Sequence, residues 1–119
     1  MADMEPPVSH PNMRAEAKDA LTGLAGEPID FYGDISNALH TLEDVARPAA
    51  DYVGVSLADA EEAALVSAVF EAWEALAPDL ARGADDATIR AAPGWSGVER
   101  AARAAGERLA ANDRRFTGA

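Results

Sequence analysis

Apolar residues recur every three or four positions over most of the chain, the period of a helix face rather than of a strand. Met13, Ala17, Ala20, Leu21 and Leu24 keep one face and predict a first helix over 13–24, capped by Asn12. Gly23 and Gly26 weaken its end and Pro28 forbids continuation. From Asp34, an N-cap candidate, the residues Ile35, Leu39, Leu42, Ala46, Ala49 and Val53 fall on one stripe at about 100° per residue. The stripe runs through Pro48, which lands on the polar side with Asn37, Asp44 and Asp51, so a kinked second helix is expected.

Ser56, with Asp59 three residues on, predicts the start of the longest helix, about 57 to 77 and up to Arg82. Leu65, Val69, Trp73, Leu76 and Leu80 form one row on it, and Val66, Phe70 and Ala77 form the adjoining row. The Leu65, Val69, Trp73 and Leu76 row is expected at the centre of the core. Asp85 or Asp86 caps a short helix ended by Pro93-Gly94. Ser96 and Glu99 make an S-x-x-E box for a final helix over 97–113, buried along Val98, Ala101, Ala102, Ala105 and Leu109. Glu99, Arg103 and Glu107 make an i, i+4 ladder on its other side. No alternating apolar run is long enough for a sheet. The fold class is therefore all-α: a compact bundle of four main helices plus one short helix, over residues 12–113. Residues 1–11, with Pro6, Pro7 and Pro11, are expected to be a disordered N-terminal tail, and 114–119 a C-terminal tail.

At 119 residues the chain is the size of one domain that needs no metal or disulfide staple. It has no cysteine, which removes disulfides, thiolate nucleophiles and cysteine-bound zinc together. No apolar stretch approaches the roughly 20 residues of a membrane span, and the N-terminus has neither the basic start nor the apolar run of a signal peptide. A cytoplasmic protein is expected. The 29 alanines, and nine arginines against one lysine, suggest a bacterium with a GC-rich coding sequence.

Charge narrows the partners. The formal net charge is −11, which repels phosphate backbones and anionic lipid, so neither direct nucleic-acid binding nor membrane binding is expected. Residues 1–96 carry five Lys/Arg against eighteen Asp/Glu, whereas 97–119 carry five Arg against three Asp/Glu.

Candidate chemistry is sparse. His40, Glu43 and Asp44 have ligand-like spacing, but His40 and Asp44 fall on the polar side of their helix and no second ligand pair matches them. Glu71-x-x-Glu74 resembles the magnesium-binding pairs of helical nucleotide pyrophosphohydrolases, without the E-x-x-D that family places on a following helix. Ser56 and Ser96 are expected to serve as caps, and the turn Gly94-Trp95-Ser96-Gly97 lacks the lysine and strand of a phosphate loop. No catalytic residue, cofactor or metal is assigned. Trp95 precedes the Ser96 cap and is expected to be a buried anchor stapled against the final helix. Trp95-Ser96-Gly97 also resembles the W-x-G of the small type VII secretion substrates, helical hairpins of about this size, which carry it near mid-chain.

The remaining expectation is a small acidic helical protein-interaction module that associates with itself, as a homodimer, or with another protein. Its candidate contact residues are Phe31, Tyr32, Val66, Phe70, Arg114, Arg115 and Phe116. An acidic inhibitor of immunity or antitoxin type, or a nucleic-acid mimic, is the alternative.

Overall fold

In the computed structural model, residues 8–26, 35–81 and 83–117 are described, the side chains of Phe116 and Thr117 excepted. They form five α-helices: α1 (Pro11–Leu24), α2 (Ile35–Ala46), α3 (Ala60–Leu76), α4 (Asp86–Ala91) and α5 (Trp95–Thr117). Two 3₁₀ turns, Ala49–Tyr52 and Ala77–Asp79, flank α3. The fold is an all-α bundle.

Helix α1 packs between α2 and α5, and α5 packs against α3 on its other side. Arg14 at the start of α1 meets Asp113 late in α5, while Arg103 reaches the Ala25 carbonyl just after α1, so these helices run antiparallel. Their contact is close because Gly106 and Ala102 present little side chain toward Leu21. At the far end of α3, a Cβ on Gly94 would come within 3.3 Å of the Leu76 side chain, so glycine lets the turn before α5 close down on α3.

Helix α1 starts at Pro11, two residues before the expected Met13, because proline suits the first helical position, where its missing N–H has no partner to lose. Of the expected tail 1–11, residues 1–7 lie outside the described residues. Ser9 and His10 donate backbone hydrogen bonds to the Gly54 and Val55 carbonyls at 2.9 Å. Gly26, with φ +94°, takes the left-handed conformation that follows the end of α1.

The expected kink in the second helix is corrected. Helix α2 ends at Ala46, and Pro48 takes an extended conformation (φ −71°, ψ 137°) after a cis Arg47–Pro48 bond. Proline cannot supply the next helical N–H, and it disfavours helical geometry in the residue before it. The apolar stripe survives the break as far as Ala49, which is buried in the 3₁₀ turn, whereas Val53 is 40% exposed.

Helix α3 begins at Ala60, later than expected, since its cap is Asp59 and not Ser56. The Asp59 carboxylate accepts from the Glu62 N–H at 2.8 Å, and buried Ser56 donates its hydroxyl to the Val45 carbonyl at 2.5 Å. Pro78 then ends the α-helix in a 3₁₀ turn, short of Arg82. Helix α5 starts at Trp95, so Ser96 is an exposed first-turn residue and not the cap, and it continues past 113 to Thr117.

The core is shifted around α3. Val69 and Leu76 are buried as expected, but Leu65, Trp73 and Leu80 are only partly so, while Ala63, Val66 and Phe70 are buried. Their partners are Leu21 and Leu24 from α1, Leu39 and Leu42 from α2, and Val98 and Leu109 from α5.

Candidate functional site

The densest convergence of polar side chains lies inside the bundle. Arg14 replaces an apolar residue in the 14, 17, 21, 24 stripe of α1; Glu62 does so ahead of Val66 and Val69 on α3; Asn112 does so after Ala105 and Leu109 on α5. All three are buried: Arg14 is 3% exposed, Glu62 and Asn112 0%.

Arg14 holds Glu62 in a two-pronged pair, Nη1 to Oε1 at 2.7 Å and Nη2 to Oε2 at 2.9 Å. Its Nε donates to Asp113 at 2.9 Å, and its remaining protons go to the Ser56 and Leu109 carbonyls. Glu62 also accepts from the Ala58 N–H at 2.7 Å and from Asn112 Nδ2 at 2.6 Å. Lys18 backs Asp113 at 2.5 Å, and Arg115 donates to Asn112 Oδ1 at 3.3 Å. Arg14 thus uses all five donors and Glu62 all four acceptor positions. Burial by itself would lower the Arg14 pKa, but hydrogen bonds and charge from Glu62 and Asp113 outweigh it and raise the pKa. With Arg14 and Glu62 both buried and saturated, the pair works as a clamp on α1, α3 and α5.

The described candidates, Val66, Phe70, Arg114 and Arg115, do not make one exposed patch. Val66 is fully buried and Phe70 is 6% exposed, so the row expected to face a partner is packed inside its own chain. This corrects their assignment as contact residues: two adjoining apolar rows on α3 are covered from two sides, by α5 and by the 3₁₀ segment after α2. Arg47 closes over Phe70 with its guanidinium 5.0 Å from the ring centre, and pairs with Glu43 at 2.9 Å and with Glu74. Arg114 and Arg115 are exposed in the last turns of α5. Phe31 and Tyr32 lie outside the described residues, and so does the Phe116 side chain.

Trp95 is buried at 3% exposure, with the Arg90 guanidinium 5.6 Å from its ring centre and its indole Nε1 without a hydrogen-bond partner among the described residues. The expected ladder on α5 is redirected, since Arg103 donates to the Ala25 carbonyl at 2.7 Å. His40, Asp44 and Glu71 are exposed. Among the described residues no group of three or more His, Asp or Glu is placed to hold a metal ion, and no helix is long and apolar enough to cross a membrane.

The surface is uneven near α4. A 280 Å³ pocket lined by Trp73, Leu80 and Ile89 adjoins, at Leu80, a groove of 540 Å³ running along α4 past Ala87, Ala91 and Pro93. Asp79 and Pro93 carry it into a third depression, of 270 Å³, beside Leu76 and Gly94. Asp79 and Asp85, both exposed, stand along the groove. Asp85 caps α4 by accepting from the Thr88 N–H at 2.9 Å, a bond that lowers its pKa. The neighbouring Asp86 carboxylate serves another helix: the Ile35 N–H at the start of α2 donates to it at 3.2 Å.

Sequence reasoning missed Arg14, Glu62, Asn112 and Asp86. The first three carried a signal, since each is a polar residue on the apolar stripe of its helix and two have opposite charge. Asp86, read as a possible cap of its own helix, carried none for its bond to α2, because the Ile35 N–H is 51 residues away.

Residues 8–116 match the model of the family described as "Domain of unknown function (DUF7945)", and the chain belongs to that family. No curated protein and no solved structure matches the chain.

Proposed function

We propose that this family member is a small acidic helical module that binds another protein in the bacterial cytoplasm and does not act as an enzyme. The supporting observation is where the charge lies. Of the described carboxylates only Glu62 is buried, and it is paired with Arg14, so the other described carboxylates lie at or near the surface. The polar groups that do converge are spent on one another. A surface of this kind attracts basic partners over several ångströms and repels nucleic acid and anionic lipid.

An inhibitor of immunity or antitoxin type is the narrower form of the same reading. It is favoured by the exposed carboxylates Asp44 on α2, Asp51 on the 3₁₀ turn after it, and Glu71 and Glu74 on α3, beside which Arg47 is already paired with Glu43 and Glu74. Self-association, expected from Val66 and Phe70, has to draw on other residues, since both are interior.

The test is capture from an extract of the source cells by the tagged full chain. The expected result is retention of a defined basic protein that added salt releases. Retention of nothing, or of a partner indifferent to salt, would contradict the proposal.

A further inference from the structure

We draw no further inference here: the strongest candidate, the largely apolar groove that runs from the end of α3 along α4 past Leu80, Ala91 and Pro93, carries nothing because nothing in the structure shows what covers it.

Discussion

Glu62 accepts four hydrogen bonds at full burial, two of them from Arg14, so removing either partner strands a charge where water cannot reach it. Glu62→Ala is expected to destabilise the chain by about 3–5 kcal/mol in urea unfolding. Replacing both partners together, Arg14→Met with Glu62→Leu, should cost clearly less than Glu62→Ala alone, because no unpaired charge is left behind. A double variant as unstable as the single one would show that the pair matters for its shape and not its charge. The tryptophans separate by burial. Trp95, at 3% exposure, should cost about 3–5 kcal/mol on replacement by alanine, and partly exposed Trp73 should cost less. The opposite order would place the core where the sequence alone suggests it. The indole of Trp95 was legible as an anchor from its place at a helix start, although the helix begins at Trp95 itself and not after Ser96. The rank of Trp73 was not, because the row it shares with Val69 and Leu76 does not reveal which end of α3 other elements cover.

Among elements, the start of α3 depends on Asp59, and the start of α4 on Asp85. Asp59→Ala is expected to cost about 1 kcal/mol, measured by thermal unfolding; no change would mean that the helix start is set by packing. The Asp85 carboxyl should titrate below the ordinary aspartate value of 3.8, because the hydrogen bonds from Thr88 favour its ionised form. Its contribution is present above its unfolded pKa and disappears as pH falls through the lower folded value. A carbon-detected NMR titration with a midpoint at or above 3.8 would remove the cap from this account. Helix existence was readable throughout from the three-and-four spacing, and the boundaries shifted wherever a tertiary partner competed. Ser56 is drawn away from capping by the Val45 carbonyl, and Pro48 turns an expected bend into a stop.

For the whole molecule, Phe70 distinguishes an interior position from a surface one. Phe70→Ala should lower stability by about 3 kcal/mol or more, since it empties the site of a buried ring. A variant that kept its stability and merely changed its sedimentation would return Phe70 to an interface. The net charge and its acidic sign were fully legible in the composition. What composition could not show is that the exception, Glu62, is locked inside while the other described carboxylates remain outside or at the edge. That distribution makes recognition by charge the central claim, and the association rate with the captured partner as a function of ionic strength tests it most directly. The account predicts a rate that falls by about tenfold or more between low and physiological salt, with a much smaller change in dissociation. A rate that stays flat across that range would contradict it.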